Sequence, residues 1–203
     1  MQAIPQIRQA AAILVAALPF FAAHAASAAD AAAAKQKAAA CAACHGPEGN
    51  STNPAIPSIA GQPKQFIVTQ LFMFREGNRK DPQMSPMAAP LSNADMNELA
   101  GYFSAQKHAP AAKPLPADRI AVGRVVTEKY NCTQCHGPQL LGQQHIPRLA
   151  GQQPQYLKTQ LRGFKASTRF DMDGQMTSAA QVLTEQDIEL LGDYLSSLDA
   201  PGK

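Results

Sequence analysis

The sequence predicts an all-α chain of two tandem copies of one small helical domain. Three observations carry this. The chain repeats itself at an offset of about 90 residues, no convincing run of alternating apolar and polar residues suggests a strand, and apolar residues recur at helical spacing in each half. In the alignment, Ile56 to Gln62 pairs with Ile146 to Gln152, Phe66 to Leu71 with Tyr156 to Leu161, Ser92 to Asp95 with Thr184 to Asp187, and Tyr102-Phe103 with Tyr194-Leu195. The offset drifts only between 90 and 92, so two small length changes separate the copies. Two units make a duplicated domain, since a solenoid needs three or more.

Each half reads as about three main helices joined by loops. Asp30 to Cys44 is Ala-rich, and Ala is the strongest helix former. Lys64 to Glu76 places apolar residues on one helical face. Ser92 and Thr184 each stand three residues before an aspartate and just ahead of an apolar-periodic run, the pattern of a capping box opening the last helix. Pro110, Pro114 and Pro116 fall within 108–118, which predicts a semi-extended linker. The boundaries are therefore 1–25 for a signal peptide, 26–107 for the first domain, 108–118 for the linker and 119–203 for the second domain.

The signal peptide rests on Arg8, an apolar run from Ala10 to Phe21 too short to span a bilayer, and A-x-A sites at Ala23–Ala25 and Ala26–Ala28. Cleavage falls after residue 25, or as late as 28. Export to the periplasm follows, and no later stretch approaches the length of a membrane span. Peripheral membrane association stays open. A mature chain of roughly 175 residues suits one large or two small domains. The formal charge is +3, and no basic tract points to nucleic acid. Six per cent aromatics with no Trp is thin for a core, so a bound apolar group would supply the missing bulk.

All four cysteines lie in two motifs, Cys41-Ala42-Ala43-Cys44-His45 and Cys132-Thr133-Gln134-Cys135-His136. C-x-x-C-H is the attachment signature of a c-type haem. On a helical turn, residues i and i+3 share a face, so two thiols meet the two vinyl groups of one haem edge as thioethers. The histidine at i+4 lies over the same face and reaches the iron. Zinc ribbons set their C-x-x-C pairs far closer together, and redox or disulfide cysteines need no following histidine. Two covalent c-type haems are therefore expected, held by Cys41, Cys44, Cys132 and Cys135, with His45 and His136 as axial ligands.

Seven methionines offer a sixth ligand. Met1 is the initiator, and Met73 and Met96 fall in predicted helices and read as core, leaving Met84, Met87, Met172 and Met176 in loops before the last helices. Met84 precedes Ser92 by eight residues, and Met176 precedes Thr184 by eight. Met87 stands opposite Ala179, and Met172 opposite Lys80, so the repeat selects Met84 and Met176. Methionine ligation raises the potential and closes the iron to small molecules. Pro57 and Pro147 follow their histidines by 12 and 11 residues. A carbonyl there could accept the histidine Nδ1 proton, and a purely loop-shaping role fits equally well. His108 and His145 have no repeat partner and read as surface histidines.

These motifs, with CAACHG, IPxxAGQ, the loop methionine and the S/T-x-x-D helix each present twice in variant form, resemble the dihaem cytochrome c4 family along essentially the whole mature chain. The resemblance implies two facing class I cytochrome c domains with propionates near their interface. It also implies axial pairs His45–Met84 and His136–Met176, and Pro57 and Pro147 as histidine partners. The second half departs at Leu140-Leu141, where the first has Gly49-Asn50. The implied function is non-enzymatic transfer of single electrons from a quinol-oxidising complex to a terminal oxidase. Two alternatives stay open: the cytochrome subunit of a flavin-containing sulfide dehydrogenase or similar complex, and a dihaem peroxidase or thiosulfate-oxidising enzyme.

Overall fold

A computed structural model describes residues 22–110 and 114–199, with side chains from Ala32 onward. Most of the predicted signal segment (1–21) and linker residues 111–113 lie outside the described residues. Among those described, the only β feature is a bridge between Gln143 and Ile146.

The first half contains α1 (Ala22–His45), a 3₁₀ turn (Pro47–Gly49), α2 (Lys64–Arg75), α3 (Met84–Ala88) and α4 (Asn93–Ser104). The second contains α5 (Ala117–Lys129), α6 (Cys132–His136), α7 (Pro154–Lys165), α8 (Gln175–Ala180) and α9 (Glu185–Ser197). Each half thus has three main helices, as the sequence predicts, with α4 against α1 and α2, and α9 against α5 and α7. Four differences stand out. The first helix begins eight residues before Asp30, because the Ala-rich segment starts earlier. The methionine segments are short helices, α3 and α8, rather than loops. His108 is half-buried with Nε2 enclosed, because Asn50 clamps the chain beside it through Lys107 O and Ala109 N at 2.9 and 2.7 Å. In the second half the haem motif sits on a separate short helix, because Asn131 adopts the left-handed conformation (φ 55, ψ 30) and breaks the chain between α5 and α6.

Both capping boxes form. Ser92 Oγ accepts from Asp95 N at 3.1 Å while Asp95 Oδ2 accepts from Ser92 N at 3.0 Å. Thr184 and Asp187 repeat this at 3.1 and 3.0 Å. Such a cap is worth about 1 kcal/mol. Lys37 and the Ser92 bonds hold the Asp95 carboxyl below the usual range. The Thr184 hydroxyl, then Tyr130, hold Asp187 at about 2. Both are depressed, so their contribution is complete above the ordinary value near 3.8 and vanishes as pH falls through the folded value. Thermal stability should therefore fall steeply between about pH 4 and pH 2. Asp187→Asn should melt lower at pH 7 and fall less steeply below pH 4; circular-dichroism melts across that range read both.

The two halves meet across a pseudo-two-fold axis. Gln62 Nε2 donates to Arg148 O at 3.0 Å, and Arg148 N donates to Gln62 Oε1 at 2.9 Å. The repeat-related pair does the same, with Gln152 Nε2 to Ser58 O at 2.9 Å and Ser58 N to Gln152 Oε1 at 2.7 Å. Phe66 N donates to Gln144 O, and its counterpart Tyr156 N to Pro54 O. This is isologous pairing inside one chain. It explains why IPxxAGQ recurs, since its glutamine must satisfy a buried backbone pair of the other half.

Candidate functional site

The two cysteines of each motif sit one helical turn apart. Cys41 and Cys132 are half-buried, and burial pushes their thiols up. Cys44 and Cys135 are exposed. Among the described residues no group of three or more His, Cys, Asp or Glu could hold a metal ion, so the four thiols do not gather into a zinc site.

His45 and His136 are 6 % and 3 % exposed. His45 Nδ1 lies 2.8 Å from Pro57 O, and His136 Nδ1 lies 2.8 Å from Pro147 O. A carbonyl can only accept, so Nδ1 carries the proton and Nε2 keeps its lone pair. Burial pushes both imidazoles below their usual range, outweighing the opposing pull of the carbonyl. Each is therefore neutral at pH 7, the form that ligates iron. A glycine at φ 78 or 80 follows each histidine and ends its helix.

The loops behind the histidines are superposable in their bonding. Gly49 O accepts from Ile59 N and Ala60 N at 2.8 and 3.0 Å; Leu140 O accepts from Leu149 N and Ala150 N at 2.8 and 3.1 Å. Leu140 holds the positive φ (58) that Gly49 (84) adopts freely, at a cost of about 1–2 kcal/mol. Its buried side chain packs in the core of its half and offsets that strain. A side chain at Gly49 would instead strike Phe103.

The methionines separate by burial. Met73 and Met96 are core residues. Met87 and Met172 are 48 % and 67 % exposed. Met84 and Met176 are half-buried, and Met176 packs on the core of its half. Aspartates fix both at the backbone: Asp81 Oδ1 accepts from Met84 N at 2.9 Å and Asp171 Oδ2 from Met176 N at 2.8 Å. Asp81 stands three residues before Met84 and Asp171 five before Met176, so no shared spacing marked them in the sequence.

A family model described as cytochrome c matches residues 30–107 and again 120–199. Cytochrome c4 of Thiocapsa roseopersicina is 38 % identical over 163 residues, covering 76 % of this chain and 84 % of the relative. This chain belongs to the dihaem cytochrome c4 family. The reduced recombinant cytochrome c4 of Pseudomonas stutzeri superposes with a TM-score of 0.76 at 33 % identity, covering 83 % of this chain and 98 % of that one. A thiosulfate dehydrogenase electron acceptor of Thiomonas intermedia (strain K12) is 36 % identical over 73 % of this chain and 74 % of its own. Like other cytochromes c4, this one carries two covalent c-type haems at its two C-x-x-C-H motifs and serves as an electron carrier for redox partners. The residues fit the group: each half offers two thiols on one helical turn, a neutral buried imidazole with a free Nε2, and a half-buried thioether.

Proposed function

We propose that this cytochrome carries single electrons in the periplasm, from a quinol-oxidising complex to a terminal oxidase. In this reading residues 26–107 and 119–203 are two redox domains joined by a linker at 108–118, behind a signal peptide removed after residue 25 to 28. Cys41 and Cys44, and Cys132 and Cys135, hold the haems as thioethers. His45 with Met84, and His136 with Met176, would supply the protein ligands to the two irons. When bound, the haem supplies a one-electron couple. Pro57 and Pro147 carbonyls orient the imidazoles and raise their basicity. The thioethers favour the reduced iron and keep exogenous ligands out. Both halves are organised for electron passage rather than for turning over a substrate.

The observation that carries this reading is the duplicated geometry: a neutral buried histidine bonded to a proline carbonyl, and one half-buried methionine in a matched place, in each half. Carbon monoxide tests it, since it binds only ferrous iron with a vacant or labile position. Added to the fully reduced protein at neutral pH, it should leave the visible spectrum almost unchanged. A rapid stoichiometric shift of even one haem would sink the carrier reading and favour an enzyme.

A second reading concerns the donor. The similarity to a thiosulfate dehydrogenase electron acceptor supports delivery of electrons by a sulfur-compound dehydrogenase instead of a quinol-oxidising complex. Oxidised cytochrome mixed with each donor in turn separates the two, because only the true donor reduces it at low concentration. Membership in a flavin-containing complex would show as flavin co-purifying with the native protein.

A further inference from the structure

Each motif histidine bonds a carbonyl whose own peptide is held by the other half. Pro57 O accepts the His45 Nδ1 proton, and the N–H of the same peptide unit, Ser58 N, donates to Gln152 Oε1 at 2.7 Å. Pro147 O accepts from His136 Nδ1, and Arg148 N, on the same peptide unit, donates to Gln62 Oε1 at 2.9 Å. A planar trans peptide sets its C=O and N–H on opposite edges. The result is a chain of bonds from an imidazole, through one peptide, to a glutamine of the other half. It is formed twice, once in each direction across the pseudo-two-fold axis.

The residues that link the halves are out of water: Gln62 and Arg148 are each 2 % exposed, Gln152 4 % and Ser58 6 %. Each glutamine also donates Nε2 to the carbonyl of the residue whose N–H it accepts, Gln152 to Ser58 O at 2.9 Å and Gln62 to Arg148 O at 3.0 Å. Only one orientation of each amide meets a donor and an acceptor together, so its oxygen is fixed on the peptide N–H. A tie between the halves could be made at many places on their facing surfaces. Here it lands, in both halves, on the one peptide whose carbonyl the histidine uses.

Hydrogen bonds in a chain polarise one another, and more strongly away from water. An acceptor on the peptide N–H makes the carbonyl oxygen of that peptide more negative, and so a better acceptor itself. A stronger bond at Nδ1 raises the basicity of the imidazole at Nε2, the atom left free for iron. A more basic imidazole favours the ferric state and lowers the potential. We propose that Gln62 and Gln152 are positioning residues that act in trans: Gln152 sets the donor strength of His45, and Gln62 that of His136, so that each half tunes the iron ligand of the other. The potential of each centre then depends on the docking of the two halves. The inference rests on His45 and His136 as axial ligands, and is independent of the methionine assignment and of the electron route.

The test uses the full dihaem protein in its reduced, diamagnetic form. Proton–nitrogen correlation spectra resolve the Nδ1–H of His45 and His136, and the haem ring current should move the ring protons of both far upfield. Gln152→Leu should shift the His45 Nδ1–H upfield, the mark of a weakened bond, and leave that of His136 close to wild type. Gln62→Leu should do the reverse. Spectroelectrochemical titration should show one midpoint raised in each variant, and a different one in the two. Gln152→Glu and Gln62→Glu keep an oxygen on the peptide N–H, so the Nδ1–H of the other half should stay at or downfield of its wild-type position; this arm stands if a leucine variant folds poorly. The proposal is overturned if leucine moves the histidine of its own half, moves both alike as a purely structural tie would, or moves neither. It is also overturned if glutamate shifts the signal upfield as leucine does. Ring protons at ordinary shifts would sink histidine ligation itself and the inference with it, whereas ring-current-shifted protons with unmoved Nδ1–H signals would sink the inference alone.

Discussion

Replacing Met84 by histidine should lower the midpoint potential of one haem by on the order of a few tenths of a volt and leave the other nearly unchanged. A thioether is a soft, weak donor that favours ferrous iron, whereas imidazole stabilises the ferric state. Met176→His should do the same to the other haem. The two irons report separately because each methionine belongs to its own half and the exchange leaves the net charge of a neutral-His site unaltered. Oxidised wild type should show a weak near-infrared sulfur-to-iron band that each variant halves. The controls are Met87→His and Met172→His, whose side chains are 48 % and 67 % exposed and should change neither band nor potential. If a control removes the band while Met84→His or Met176→His leaves it intact, the axial assignment is wrong.

Gly123→Val should destabilise the second half by about 3 kcal/mol, the upper end of what overpacking costs. Gly123 is buried on α5 where it crosses α9, and a Cβ there would lie 2.3 Å from Tyr194 Cγ and 2.4 Å from its Cβ. Tyr194 sits mid-helix in the core and has nowhere to retreat. Thr127 Oγ1 also bonds Gly123 O at 2.8 Å, holding α5 in place at that point. Gly101→Ala is the contrast. No atom lies within 4 Å of its would-be Cβ, so the substitution should stabilise α4 by up to about 1 kcal/mol through helix propensity alone. Calorimetry of the two variants against wild type checks the pair. A Gly123→Val protein that melts with wild type would mean that α5 and α9 separate more readily than this packing implies.

Much of the architecture was legible because it is written twice. The repeat placed Ser92 and Thr184 as caps, and both boxes formed, since a hydroxyl and a carboxylate three residues apart satisfy two backbone N–H groups by local geometry alone. The cysteine motifs were equally local, because their chemistry depends on one helical turn. The repeat also favoured Met84, which is half-buried, over Met87, which is 48 % exposed. Single-residue departures from the pattern were harder to read. Nothing in the residues around Asn131 announces that the second motif stands on its own short helix, and His108 read as a surface residue until Asn50, far away in sequence, was seen to clamp it.

Arg79 and Arg169, which each donate to a glutamine of the other half, show where the boundary lies. They are visible as matched positions in the repeat, yet each reads alone as an ordinary solvated cation after a helix. Their juxtaposition depends on how the halves dock, which is set by Gln62, Gln152 and the loops they bond. By itself the sequence determined what short-range geometry can determine: the duplication, the helices, the caps, the haem motifs and the matched methionines. The tertiary structure decided which histidine nitrogen is protonated, how the halves pair, and that Arg148 and Arg169 are drawn out of water with no ion-pair partner among the described residues. The physical reason is range. Caps and motifs are settled within one helical turn, whereas burial and charge balance are properties of neighbours brought together from 90 residues away.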